Sequence, residues 1–214
     1  IDNVVEAAQF SNEFSPNVLT EFGQFCVDNM VNDPELIWSL IWINIVYNSE
    51  LVSWFANNVK PNHAFDRASL SELAYDYFSS SFSKNTIDYA FQALMQVFNY
   101  SPCGETLCQG AEYDKNHLIR YEFKELSEIA LAYSLYKFSE ANGTTSLRVK
   151  DFYDEDCKNG IFREFCLSKE TFEKGLRTLN SAKDRILVAN LSMGLNHITL
   201  QDGLTPLDVL KKLF

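Results

Sequence analysis

Positive charge is scarce in the first hundred residues, and histidine, glycine and proline are scarce throughout. Residues 1–100 carry 12 Asp+Glu against 3 Lys+Arg, a net of −9, while residues 101–214 carry 17 against 15, a net of −2. Nucleic-acid binders concentrate cations to replace the counterions of the phosphate backbone. The first half therefore repels a polyanion, and the second half has room for a local basic patch. Eight Gly and five Pro in 214 residues leave few long loops. The three histidines (His63, His117, His197) are scattered, and none belongs to a His-Glu-x-x-His or His-x-His pattern. A P-loop, a glycine-rich dinucleotide turn and a Gly-x-Ser-x-Gly elbow are all missing. No catalytic residue and no cofactor is therefore assigned, and each histidine reads as a surface or structurally satisfied side chain.

Cysteine is present but unpatterned. Five residues (Cys26, Cys103, Cys108, Cys157, Cys166) are an odd number at irregular spacings, which suits a reducing, cytoplasmic compartment. Cys103-x4-Cys108 and Cys157-x8-Cys166 depart from the spacing of paired zinc ligands, so buried thiols are expected and no metal site. Asp151, Asp154, Glu155 and Asp156 lack the glycine and spacing of an EF-hand and read as a solvated turn. The sequons at Asn99, Asn142 and Asn190 read as chance matches. The sequence starts at Ile1 with neither Met nor a signal-peptide pattern, and the expectation is a fragment of a longer protein.

What is abundant is aromatic and aliphatic side chain: 46% hydrophobic residues, with 17 Phe and 10 Tyr, against 22% charged, the balance of a globular protein. The richest stretch runs from Asp33 to Phe55 and holds all three tryptophans, Trp38, Trp42 and Trp54. Between Leu36 and Tyr47 only Ser39 and Asn44 are polar. A helix here is apolar on nearly every side and belongs in a core or a bilayer. Crossing a bilayer takes roughly 20 apolar residues, and Asn48-Ser49-Glu50 interrupts the run too early. The stretch predicts a central core helix, started by Asp33 as cap and Pro34 at its first position, then a second helix capped by Ser49.

Around it the signals are mainly helical. Residues 2–10 read as a short opening helix, and apolar residues at 18, 19, 22, 25 and 26 predict another. Ser69 with Glu72 predicts a capping box. Ser83 starts a helix to Phe98 that has only Lys84 and Asp88 as charges and reads as a packing helix. His117 to Phe123 alternates like a strand. A helix from Leu126 to Ala141 is closed by Asn142-Gly143, and Ser146 to Tyr153 reads as a short helix or strand. Ser168 caps the helix to Leu179. Arg185–Leu191 and Leu195–Leu200 flank a Met193-Gly194 turn as a hairpin, and Thr205-Pro206 opens the last helix.

Helix, capped helix and hairpin thus occur in order twice. The predicted fold is mainly α with small β-hairpins: a helical core segment (1–65), a first winged-helix-like unit (66–124) and a second with a C-terminal helix (125–214). In the second unit, helix 168–179 takes the recognition position. It carries Lys169, Lys174 and Arg177, with Lys183 and Arg185 just beyond. Across 168–185, five cations face Glu170, Glu173 and Asp184, a net of +2 in an acidic chain. These five are the candidate DNA-binding residues. The same charges also suit a merely solvated helix, or a winged helix that binds protein.

Five stretches, in order, resemble a bacterial domain-of-unknown-function family found in SspB-type proteins of DNA phosphorothioation modules and fused to phosphoadenosine-phosphosulfate-reductase-like proteins. They are Leu19-Thr20-Glu21-Phe22-Gly23; Asp33-Pro34 with Leu36-x-Trp38 and Trp54-Phe55; Ser101-Pro102-x-Gly104-Glu105-Thr106-Leu107; Ala132-Tyr133-Ser134-Leu135-Tyr136-Lys137-Phe138; and Leu207-Asp208-Val209-Leu210. The family's aromatic and His-rich N-terminal segment is missing, and Ile41 and Trp42 stand where its central helix often carries a His. The resemblance implies a DNA-associated accessory module of a phosphorothioation modification and antiviral defence system, non-catalytic in this fragment. Its partners would be double-stranded DNA and other proteins of that system, without a membrane. A scaffold whose winged helices bind partner subunits, and a DNA nickase component, are the alternatives. No catalytic residue carries over.

Overall fold

The computed structural model describes residues 18–191 and 196–214. The expected opening helix at 2–10 and the Met193-Gly194 turn lie outside the described residues. The chain divides into two compact units, 1–123 and 124–214. The fold is mainly helical with two small antiparallel sheets.

In the first unit, α1 spans Glu21–Asn29, α2 Pro34–Asn48 and α3 Glu50–Asn58. Asp33 accepts from Leu36 N at 3.0 Å with Pro34 behind it, which satisfies one of the N–H groups that a helix start leaves open. Ser49 ends α2 and starts α3 at once, accepting from Val52 N, so the two helices meet at 102°. Among the described residues no single helix is long and apolar enough to cross a membrane. Instead α2 is buried from Leu36 to Val46 except for a half-buried Trp38. Its two polar side chains are satisfied within the helix: Ser39 donates to Glu35 O and Asn44 to Leu40 O. Trp42 packs against Phe55 and Phe98, and Trp54 against Phe78 and Phe91, at ring separations of 5.8–6.5 Å. Such aromatic pairs add about 0.5–1.5 kcal/mol each beyond the area they bury.

Strand β1 (Ala64–Phe65), α4 (Arg67–Phe78), α5 (Lys84–Tyr100), β2 (Ala111–Glu112) and β3 (Leu118–Ile119) complete this unit. Here α4 starts two residues ahead of the Ser69 expected to cap it. Asp66 takes the cap, accepting from Ser69 N at 2.8 Å, while Ser69 Oγ accepts from Asp66 N. A carboxylate and a hydroxyl three residues apart close the box with Ser69 as its inner member. The strand expected over 117–123 shortens to two residues: Leu118 and Ile119 pair in register with β1 and β2, while His117, Arg120 and Tyr121 bond to loop backbone at 113, 62 and 108.

In the second unit, α6 (Glu128–Asn142) is capped by Ser127 and ended by Gly143 at φ +63°, the left-handed closure that glycine adopts without strain. Around it come β4 (Ser146–Arg148), a 3₁₀ turn (Val149–Tyr153), α7 (Ile161–Phe165), α8 (Lys169–Ser181), β5 (Leu187–Asn190), β6 (His197–Leu200) and α9 (Pro206–Leu213). The segment 146–153, read as helix or strand, is both in succession. Tyr136 ties α6 to the sheet edge: its hydroxyl donates to Ile186 O at 2.7 Å and accepts from Gln201 N at 3.0 Å.

One pattern recurs. Each unit runs helix, strand, helices, strand, strand (α3 to β3, then α6 to β6), and each sheet places its third strand between the first and second: β1-β3-β2 and β4-β6-β5. In this order α5 and α8 are equivalent.

Candidate nucleic-acid interface

The sequence of α8, Lys-Glu-Thr-Phe-Glu-Lys-Gly-Leu-Arg-Thr-Leu-Asn-Ser, is strongly two-sided. Phe172, Leu176 and Leu179 recur every three or four residues and are buried. Gly175 lets the helix come close to α6, since a Cβ there would stand 2.5 Å from Leu131 Cδ2. Ser168 Oγ accepts from Thr171 N at 3.2 Å and sets where the helix begins. The buried stripe turns the cations outward: Lys169, Lys174 and Arg177 are exposed, as are Lys183 and Arg185 in the segment leading to β5.

Spacing decides how these charges are held. Residues 169, 173 and 177 lie one turn apart on the same face. Glu173 sits between the two cations, 3.9 Å from Lys169 Nζ and 3.4 Å from Arg177 Nη2. Asn196, immediately before β6, donates to Glu173 Oε1 at 2.8 Å and so joins that strand to the helix. Exposed ion pairs of this kind contribute about 0–1 kcal/mol. A phosphate can therefore take either cation at little cost. Lys174, Lys183 and Arg185 form no ion pair among the described residues. A shallow groove beside the helix is lined by Arg177, Asn180, Val188 and Asn190. Asn180 is fixed there, because its Oδ1 accepts from Ala189 N at 2.9 Å.

The structure thus exposes all five expected cations and brings Lys169 and Arg177 together on one carboxylate. Sequence reading missed the role of Glu173, although its i, i+4 relation to both cations was a usable signal. The bond to Asn196, 23 residues away, left no local trace.

The remaining polar clusters have structural partners. His117 lies between Asp114 (2.9 Å) and Asp66 (3.6 Å), His197 meets Ser146 Oγ at 3.1 Å, and His63 meets Pro61 O at 3.0 Å. Backbone N–H bonds hold Asp66 and Asp114 below the usual carboxylate range, with His117 adding to the effect. Burial pushes the thiols of Cys26 and Cys103 up to about 12 and that of Cys157 up to about 11. Among the described residues no group of three or more His, Cys, Asp or Glu stands together as a ligand set for a metal ion.

No family model and no curated protein matches the sequence. Two solved structures share its fold. The crystal structure of magnesium-ion-bound SspB superposes with a TM-score of 0.71 at 14% identity, covering 98% of this chain and 72% of that one. A second crystal structure of SspB gives a TM-score of 0.66 at 14% identity, covering 98% and 71%.

Proposed function

We propose that this chain, which has the fold of SspB, is a DNA-associated accessory module of a bacterial DNA phosphorothioation modification and defence system. In this reading it works in the cytoplasm beside the enzymes of that system. Each unit is a winged helix, α8 is a recognition helix, and double-stranded DNA meets Lys169, Lys174, Arg177, Lys183 and Arg185. The observation that carries the proposal is fold likeness to SspB over 98% of the chain. Two features support the DNA face. The strand orders β1-β3-β2 and β4-β6-β5, with the last two strands following α5 and α8, suit a winged-helix reading. The local charge over 168–185 is also positive in a chain of net charge −11.

Magnesium accompanies one SspB structure. Among the described residues no group of three or more His, Cys, Asp or Glu stands together, and no step in this chain is assigned to that ion. The role proposed is binding: cations neutralise phosphates, and the α8 face supplies a helix of the width that a major groove admits.

Charge reversal tests this reading. Lys174→Glu with Arg177→Glu replaces two attractions by two repulsions on an exposed face, leaving Phe172, Leu176 and Leu179 in place. Affinity for a duplex at low salt is expected to fall about 10- to 100-fold, uniformly across sequences. Unchanged affinity in a fluorescence-anisotropy titration removes DNA from this face.

A further inference from the structure

The helix read as mere packing, α5, has an outer face that packing does not explain. Asn85, Tyr89, Gln92, Gln96 and Asn99 recur at helical spacing and are all exposed, opposite the buried Ile87, Phe91, Leu94 and Phe98. Over four turns the outermost stripe holds no charge. An exposed helix in an acidic, soluble-type chain ordinarily carries Lys and Glu there. Loss of charge with retention of Tyr and amides is the composition of an interface centre, where a charge would have to be desolvated.

The two flanks of the stripe differ. On one side, α5 contributes Thr86, Ala90, Ala93 and Val97 to an apolar cleft of about 110 Å³, closed by Trp42, Ile45 and Phe82 among others. The small residues of α5 keep the cleft open, and Phe82 at its edge is 42% exposed. On the other side, Met95 and Asn99 border a depression lined by four carboxylates, Asp66, Glu105, Glu112 and Asp114, against Arg67, Lys115 and His117, the last held between Asp66 and Asp114. Arg67 is already engaged by Asp88 at 3.4 Å. Residues 18–123 as a whole carry 13 Asp+Glu against 5 Lys+Arg, a net of −8, and one of those cations, Arg120, is buried.

We infer that α5 is a docking face for a basic protein segment, which seats a large apolar side chain in the Ala90–Ala93–Val97 cleft, lies along the amide stripe, and sets Lys or Arg against Glu105, Glu112 and Asp114. Charge selects this occupant over DNA. A helix in a major groove has phosphates on both sides, and here one flank is apolar and the other acidic. The inference concerns the first unit and a protein partner, so it stands or falls separately from DNA contact by α8.

The test uses the whole chain and a synthetic amphipathic peptide of about 14 residues, leucine along one face and lysine along the other. Its glutamate twin and a DNA duplex serve as competitors. The Leu/Lys peptide is expected to bind at micromolar concentration and to shift the side-chain amide resonances of Asn85, Gln92, Gln96 and Asn99. Ala93→Trp, which fills the cleft, is expected to weaken binding at least tenfold. Gln92→Lys with Gln96→Lys, at exposed positions that leave folding intact, is expected to do the same. Lys174→Glu with Arg177→Glu is expected to leave it unchanged. Equal binding by the glutamate twin, displacement by duplex DNA with the same amide shifts, or full affinity in the Gln92→Lys/Gln96→Lys protein would overturn the inference.

Discussion

Glu164→Gln is expected to stabilise the second unit at alkaline pH and to leave it nearly unchanged below pH 5. Glu164 is fully buried on α7, where Ser134 Oγ of α6 donates to its Oε2 at 2.5 Å. Burial pushes its carboxyl up to about 8, against smaller opposing effects of the Ser134 bond and the charge of Lys137. Burial also pulls Lys137 below the usual lysine range, opposed by the charge of Glu140. A carboxyl whose folded value is raised binds a proton more tightly in the folded state. Stability is therefore full below its unfolded value of about 4.5 and is lost progressively as pH rises through about 8. Each pH unit in that window is worth up to about 1.4 kcal/mol, so the loss between pH 5 and 8.5 is several kcal/mol on an order-of-magnitude basis. Glutamine keeps the shape and an acceptor without the ionisation. Urea unfolding followed by circular dichroism is expected to give curves for variant and wild type that coincide near pH 5 and separate by pH 8.5. Parallel curves across that range contradict a protonated Glu164. The buried thiols do not obscure the window, because their unfolded counterparts ionise only near pH 9. The matter bears on function because α7 leads through Cys166 and Leu167 directly into Ser168, the cap of α8.

Arg120→Ala is expected to destabilise the first unit by about 3–5 kcal/mol, close to what a domain of this size has to spare. Arg120 is 1% exposed. Its guanidinium donates to Gln109 Oε1 from Nε (3.1 Å) and Nη2 (2.8 Å), and from Nη1 to Ala56 O (3.0 Å) and Val59 O (3.1 Å). It also stacks 5.0 Å from the centre of the Phe55 ring. Those two carbonyls lie at the C-terminal end of α3, where open acceptors and the helix dipole both favour a cation. Alanine strands the acceptors in the interior and leaves a void over Phe55. Lysine restores the charge but not the planar fork that reaches three acceptors, and is expected to recover less than half of the loss. Tryptophan fluorescence isolates this unit, because Trp38, Trp42 and Trp54 all belong to it. A urea midpoint in Arg120→Ala equal to that of wild type contradicts the assignment.

Local chemistry made much of the fold legible. Asp33-Pro34, Ser49, Ser83, Ser168 and Thr205-Pro206 cap helices where the sequence places them, because a cap needs only a side-chain oxygen and its neighbours three residues on. Gly143 closes α6 for an equally local reason. What escaped was long-range. Arg120 sits in a segment that alternates like a strand, and its partners at 56 and 59 are more than sixty residues away. Glu164 is an ordinary-looking glutamate in Ile-Phe-Arg-Glu-Phe until Ser134, thirty residues earlier, meets it. The two-residue strand β1 leaves no periodicity to read. At the candidate interface, exposure of the five cations followed from the buried stripe of α8, whereas the tie from Glu173 to Asn196 depends on how β6 returns. The helix α5 packs as its few charges predict, through Ile87, Phe91, Leu94 and Phe98, while the outward turn of its amides and Tyr89 has no signature in charge alone.

The salt dependence of duplex binding tests the central claim most directly. If Lys169, Lys174, Arg177, Lys183 and Arg185 meet phosphates, the logarithm of the binding constant should fall linearly with the logarithm of salt concentration, with a slope of about −3 to −4.5. In Lys174→Glu/Arg177→Glu the slope should shrink by about 2. A slope near zero, or one that these substitutions leave unchanged, contradicts DNA contact by α8.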